Sequence, residues 1–486
     1  MTVRLLLRLF ATVLLPLLAG CAGLGSPPPP PRVVVVIVVD GLPQRLLLQM
    51  RGQLAPDGFA RFLDRGAWFA EAHFAHASTV TASGHATLFT GAWPRRHGII
   101  GNSWRDPASG TELASGGDAQ ARFLGAPTRA GDSTSPRNLL AETLGDAMRR
   151  QDPRARVVAV AGKDRSAVLP GGRRGTAFLF HDDTGVFVSS SYYMDAYPAW
   201  RDAFHAARPP SPAADPATRD TLALDFATAA LAGERLGADG VPDLLAVSLS
   251  GLDLVHHQHG PGSPASRAHL LHADRALQDF LRGLDAALGA DGYLAVLTSD
   301  HGFMETPGPG GGRIATRQLV AQVNADLQRR FGVARLVAYA SASALVLDRA
   351  LLAAHGLDAE AVAQAARASL VAMPGIAAAY TRGELLARSR ADAPWFEAVH
   401  RSWHPVRSGD VPYVLQPGWM PGQATATHGS PHRYDTHVPL MYWGPRWIRA
   451  GRVDTPAEMV DLAPTLARMV GAPTPAQAEG RVLRTP

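Results

Sequence analysis

The sequence predicts an α/β fold: a central, mostly parallel sheet flanked by helices, with a smaller α+β subdomain inserted late in the chain. Three apolar runs carry that prediction. Residues 33–39 form a continuous β-branched stretch ending in Asp40-Gly41, residues 244–249 end in Ser250-Gly251 just ahead of Asp253, and residues 293–298 end in Ser299-Asp300-His301-Gly302. Runs of this length without polar alternation fit strands buried on both faces, as in a parallel sheet covered by helices. Ligands of such sheets bind beyond the carboxyl ends of the strands, which is where polar residues follow each run.

The intervening segments read as helices and loops. Ser135-Pro136 offers an N-cap and a proline for the first turn of a helix running through Leu139, Leu140 and Leu144 to Arg149-Arg150. Residues 156–161 then predict a further strand, ending in Gly162-Lys163-Asp164-Arg165. Ser263-Pro264 opens a second helix, to about Leu288. Residues 307–312 are rich in glycine and proline and mark a boundary. Beyond them, 314–389 reads as helices and strands without evident ligands, and 390–423 as irregular. The core is expected to resume at Ala424, with a strand over 438–443 and a closing helix over 455–470. The resulting organisation is a signal peptide (1–20), a tether (21–31), a catalytic core (32–306), an inserted subdomain (307–423) and the rest of the core (424–486).

A chain of 486 residues can bury a large core. Its formal net charge of +5 is small for that length, and no basic block tracks a nucleic-acid backbone, so no nucleic-acid partner is expected. Arg4 and Arg8, a mainly apolar stretch to Leu18 and then Ala19-Gly20-Cys21 form the pattern of an export signal, too short for a transmembrane helix. Leu18-Ala19-Gly20-Cys21 resembles the bacterial lipobox, which makes Cys21, the single cysteine, the expected lipidated N-terminus and the membrane a partner. Pro27 to Pro31 would act as an extended tether. Ala22 after the cysteine implies outer-membrane sorting, and the expected location is the periplasm or cell envelope.

Seven side chains able to bind a divalent metal fall in five patches: Asp40, Thr81, Asp253 with His257, Asp300 with His301, and His428. Carboxylates, imidazoles and one hydroxyl after strand-like runs suit a two-metal site for phosphoryl transfer. Asp253 and His257 stand four apart, on one face of a helical turn, although His256 and His259 compete. Thr81 lies in Thr79-Val80-Thr81-Ala82-Ser83-Gly84-His85, where it could act as a nucleophile or merely cap a helix beginning near Ser83; Ser78, Thr79 and Ser83 are its rivals. His85 reads as a supporting residue. His428 is preferred over His437 as the last ligand, with His432 also near.

These motifs, in this order and spacing from Asp40 to about Pro445, resemble the type I phosphodiesterase and nucleotide pyrophosphatase branch of the alkaline phosphatase superfamily. Within that branch they are most similar to bacterial periplasmic alkaline phosphatases with a threonine nucleophile. The resemblance implies an alkaline-phosphatase-like sheet, Thr81 as nucleophile, and His257 as the histidine of an Asp-x-x-x-His-Gln pattern. It also implies two Zn2+ per chain, with Mn2+ an alternative: Asp253, His257 and His428 at one, Asp40, Asp300, His301 and Thr81 at the other. Asn102 and the pair Lys163 and Arg165 resemble the groups that contact phosphoryl oxygens in the monoesterases. The implied activity is hydrolysis of phosphorylated small molecules through a covalent phosphothreonine. The alternatives are a phosphodiesterase or nucleotide pyrophosphatase on the same scaffold and a non-catalytic metal- or phosphate-binding lipoprotein.

Overall fold

The structure is a computed structural model that describes residues 28–485, apart from 107–108, 128–132 and 342. The export signal, Cys21 and the start of the proline run lie outside the described residues.

The three runs form strands Val33–Val39, Asp243–Leu249 and Tyr293–Thr298, every residue of them buried. They are parallel neighbours in a nine-stranded sheet. Its order is Gly451–Val453, Ala67–Phe69, Leu440–Trp443, Tyr293–Thr298, Val33–Val39, Asp243–Leu249, Val157–Ala161, Thr176–His181, Val186–Val188. Leu440–Trp443 runs antiparallel to both of its neighbours, and Val186–Val188 closes the far edge antiparallel. The absence of alternation has a direct cause. Val34, Val36 and Val38 enter one apolar core with helices Thr81–Thr90 and Leu462–Val470, while Val33, Val35, Ile37 and Val39 enter another with helices Pro216–Gly233 and Pro264–Leu288. Both faces are covered, so every position of the strand is apolar.

Two helix starts differ from expectation. The helix placed at Ser135-Pro136 begins instead at Leu144, because Thr143 and Asp146 form a reciprocal capping box there. Ser135 spends its hydroxyl on the Arg137 N–H in a local turn, and Leu140 is exposed, so the preceding residues present no continuous apolar face. The closing helix is Leu462–Val470, preceded by a short strand at Ala457–Glu458 and a turn of 3-10 helix over Met459–Asp461. The Ser263-capped helix spans Pro264–Leu288 as predicted.

Residues 312–421 contribute a second, four-stranded antiparallel sheet in the order Val337–Ser341, Ala344–Leu347, Val411–Leu415, Ile376–Ala379. It has its own apolar core, including Leu345, Leu347 and Val411 with Val323 and Leu327 of one helix and Val362 and Leu370 of another. The segment read as irregular, 390–423, supplies the inner strand Val411–Leu415 and the helix Phe396–Ser402. Pro412 and the brevity of the run concealed that strand. Gly312–Ile314 pairs with Trp419–Pro421, which pins the two ends of the insertion together.

Candidate active site

Four strands that are consecutive across the sheet deliver the chemistry. Tyr293–Thr298 is followed by Asp300 and His301, Val33–Val39 by Asp40, Asp243–Leu249 by the helix Gly251–His259 bearing Asp253 and His257, and Val157–Ala161 by Lys163. Lys163 is the N-cap of helix Asp164–Gly171, so Arg165 lies in a first turn rather than in a loop. The parallel register makes all four polar ends emerge on one side.

The carboxylates and imidazoles converge. His257 Nε2 and His428 Nε2 lie 3.4 and 3.5 Å from Asp253 Oδ1. His301 Nε2 lies 3.4 Å from Asp40 Oδ1 and 3.7 Å from Asp300 Oδ2. Asp40, Asp300 and His301 form one potential ligand group, and Asp253, His301 and His428 another. His301 thus borders both, its ring stacked on that of His428 with centroids 3.5 Å apart. Asp40 Oδ1, Asp253 Oδ1, Asp300 Oδ2 and His301 Nε2 are all buried without a hydrogen-bond partner among the described residues. Unpaired buried acceptors of this kind are costly. Two ligand atoms each bound about 2.0–2.1 Å from one tetrahedral ion stand roughly 3.3 Å apart, close to the spacings here. The donor set therefore fits metal.

The imidazoles are aimed by their other nitrogens. His257 Nδ1 donates to the Ala426 carbonyl at 3.1 Å, His301 Nδ1 to that of Gly302 at 2.9 Å and His428 Nδ1 to that of Thr79 at 2.9 Å. A carbonyl only accepts, so each Nδ1 carries the proton and each Nε2 is presented to the carboxylates. Two of the rivals have their ring nitrogens engaged elsewhere. His432 Nε2 donates to Leu415, while His437 stacks on His73 and donates to Ala70. His256 packs its ring against Phe303.

Charge balance explains the ionisation states. Burial favours the neutral form of each carboxyl and Asp300 adds to it at Asp40, yet Lys163 and His301 outweigh both and hold Asp40 below the usual carboxylate range. Asp253 is also held low: burial and Asp40 oppose its charge, and Lys163, His428 and His257 overcome them. Burial resists the charged form of His301, but Asp300 and Asp40 raise it to about 9, so loading this group displaces a proton. Burial pushes His428 well below its ordinary value and His301 adds to the effect, which leaves His428 a neutral donor. Lys163 Nζ bridges Asp40 Oδ2 at 2.7 Å and Asp253 Oδ2 at 2.6 Å, one carboxylate from each group.

Thr81 is the first residue of helix Thr81–Thr90, with Val80 as N-cap, so its hydroxyl is not spent on capping. It makes no hydrogen bond among the described residues, whereas the three rival hydroxyls do. Ser78 donates to Ile100 at 2.7 Å, Thr79 to Ser430 at 2.8 Å and Ser83 to Ile99 at 3.0 Å. Asn102 Oδ1 accepts the Ala82 N–H at 2.9 Å, placing its amide beside Thr81. His85 Nδ1 lies 2.9 Å from the Thr81 carbonyl and 3.2 Å from Asp300 Oδ2, tying the helix start to the ligand group. Gly84 is required for that approach, since a Cβ there would stand 2.0 Å from the Asp300 carbonyl oxygen. Arg165 is half-buried, 3.5 Å from Asp164, with its Nε unpaired.

Buried carboxylates and imidazoles able to hold metal, together with a free hydroxyl at a helix N-terminus, are the parts that metal-assisted group transfer requires. The model of the type I phosphodiesterase / nucleotide pyrophosphatase family matches residues 34–437, and the chain belongs to that family. It is 29% identical over 507 residues to alkaline phosphatase PafA of Elizabethkingia meningoseptica, covering 91% of this chain and 92% of the relative. It is likewise 29% identical to alkaline phosphatase PhoV of Synechococcus elongatus, covering 92% and 91%. A crystal structure of wild-type alkaline phosphatase PafA superposes with a TM-score of 0.87 at 28% identity, covering 94% of this chain and 99% of that one.

Proposed function

We propose that the chain is a metal-dependent alkaline phosphatase that hydrolyses phosphate monoesters through a phosphothreonine on Thr81. The observation that carries this reading is the one free hydroxyl among four candidates, set at a helix N-terminus beside two converging carboxylate–imidazole groups. The full-length similarity to alkaline phosphatases supports it.

Asp253, His257 and His428 would hold one ion, and Asp40, Asp300, His301 and Thr81 the other; mixed oxygen and nitrogen donors suit zinc, and manganese less closely. When bound, the ions supply Lewis-acid stabilisation to the attacking and leaving oxygens. The chain's own groups do the rest. Thr81 Oγ1 gives up its proton and attacks phosphorus, the Oγ1–P bond forms, and the bond from phosphorus to the alcohol oxygen breaks, the alcohol departing once its oxygen takes up a proton. At the start of helix Thr81–Thr90 the Ala82 N–H is held by Asn102 Oδ1, and the Thr81 and Ser83 N–H groups with the Asn102 side-chain N–H stabilise charge on the phosphoryl oxygens. Water then cleaves the phosphothreonine and regenerates the hydroxyl.

Lys163 and Arg165 place positive charge beside the site, and a monoester dianion offers them more charge than a diester. Neutralising both is expected to lower monoester kcat/KM roughly ten- to a hundredfold per lost contact, and diester turnover much less. Steady-state kinetics on the two ester classes, with metal-replete enzyme, measure this. The family also contains phosphodiesterases, and the hold of Asp40 and Asp253 on Lys163 favours a second reading as one of them. Equal losses on both ester classes would select that reading.

The reading includes export and lipid anchoring at Cys21. Cys21→Ser is expected to abolish lipid labelling and shift the protein from the membrane to the soluble fraction; labelling that persists in the variant excludes the anchor.

A further inference from the structure

A cavity of about 420 Å3 lies between the core and the inserted antiparallel sheet, a size typical of small-molecule sites. One end reaches the groups described above. Asn102, whose Oδ1 holds the N–H next to Thr81, and His428, whose Nε2 faces Asp253, both line it. The opposite wall comes from the insertion, with Tyr413 on strand Val411–Leu415 and with Trp403 and Trp419.

Its position relative to the reacting atoms follows from the grouping of residues. In an in-line displacement the attacking and leaving oxygens stand on opposite sides of phosphorus. Thr81 is tied to Asp300 through His85, whereas His428 belongs with Asp253. The cavity adjoins Thr81 through Ser78, Val80 and Asn102 and extends past His428, so it opens onto the leaving-group side as well. Its lining decides what can enter. Among the described residues it contains no lysine or arginine, and an anionic substituent would enter without a counter-charge. Aromatic and aliphatic groups share the walls with serine hydroxyls such as those of Ser402 and Ser408 and with one carboxyl, Asp435, whose Oδ2 accepts from Ser430, and the Tyr413 hydroxyl, partly accessible, has no hydrogen-bond partner among the described residues.

We infer that this cavity receives the alcohol portion of the substrate: an uncharged, largely apolar group of aromatic size, able to hydrogen-bond with Tyr413. The inference rests on Thr81 acting in a monoesterase, and it makes the inserted subdomain the determinant of substrate choice.

The test compares 2-(1-naphthyl)ethyl phosphate with ethyl phosphate, whose leaving alcohols are similar in acidity, using metal-replete enzyme. Wild-type kcat/KM is expected to favour the naphthyl ester roughly tenfold or more. Thr316→Trp fills the cavity from a half-buried lining position outside the catalytic groups, and should erase the preference while leaving ethyl phosphate turnover unchanged. Equal wild-type kcat/KM on the two esters overturns the inference, as does a folded Thr316→Trp variant that retains the preference or loses both activities alike. If that variant does not fold, the wild-type comparison decides alone. If neither ester is hydrolysed while diesters are, the monoesterase reading fails separately. Fluorescence titration with 2-(1-naphthyl)ethanol then decides the cavity: saturable binding to wild type that Tyr413→Ala weakens supports it, and no binding overturns it.

Discussion

Thr81→Ala is expected to abolish turnover, lowering kcat by roughly three orders of magnitude or more, because the neighbouring hydroxyls of Ser78, Thr79 and Ser83 are already committed to backbone carbonyls. The fold should survive. Val80 occupies the N-cap and the Thr81 hydroxyl makes no hydrogen bond among the described residues, so the substitution removes no cap and places the better helix former at the first helical position. A stability change within about 1 kcal/mol is expected. Thr81→Ser should keep part of the activity, since a primary hydroxyl can reach the same place. Rapid acid quench of the wild type followed by peptide mass spectrometry should find phosphate on Thr81 and none in the alanine variant. Phosphate on Ser78, Thr79 or Ser83 would move the nucleophile and refute the assignment.

The core and the carboxylates that converge at the candidate site were legible because one physical cause wrote both. Strands covered on both faces leave long apolar runs, and the residues that follow them must be polar, so Asp40, Asp253 and Asp300 stood out in the sequence and then met in space. The edge strands Gly451–Val453 and Val186–Val188, and Ala67–Phe69 next to the first of them, are three residues each and carry no such signature. The Leu144 helix start was hidden because Ser135-Pro136 is an equally good local signal, and only tertiary packing separates it from Thr143 and Asp146. Lys163 was read as a phosphate contact; its link to Asp40 and Asp253 spans 123 and 90 residues and leaves no local trace. The same holds for the cavity, whose walls come from segments that share nothing in sequence. The choice among histidines turned on Nδ1 partners, and carbonyls of Ala426, Gly302 and Thr79 are invisible to pattern reading.

Removing metal, or one of its ligands, is the other large effect. Asp300→Asn keeps the shape of the side chain and an acceptor for the Gly41 N–H, which Asp300 Oδ1 binds at 3.1 Å, but it withdraws a buried negative charge facing His301 and His85. Metal content should fall from about two ions per chain toward one. Turnover should drop roughly a hundred- to a thousandfold, the scale of several kcal/mol of lost Lewis-acid stabilisation. His257→Ala should deplete the other group, and His301→Ala, which borders both, should cost the most. A readout independent of activity comes from linkage: zinc that binds only the folded state should raise the melting temperature of the wild type, and that increment should shrink in each variant. A general packing defect would instead lower the melting temperature of metal-free and zinc-loaded protein alike. Dialysis of the wild type against a strong chelator should remove activity, and added zinc should restore it. Full turnover in thoroughly chelated protein, with no ion detected by elemental analysis, would rule out metal-assisted transfer, and the unpaired oxygens of Asp40, Asp253 and Asp300 would then need another partner.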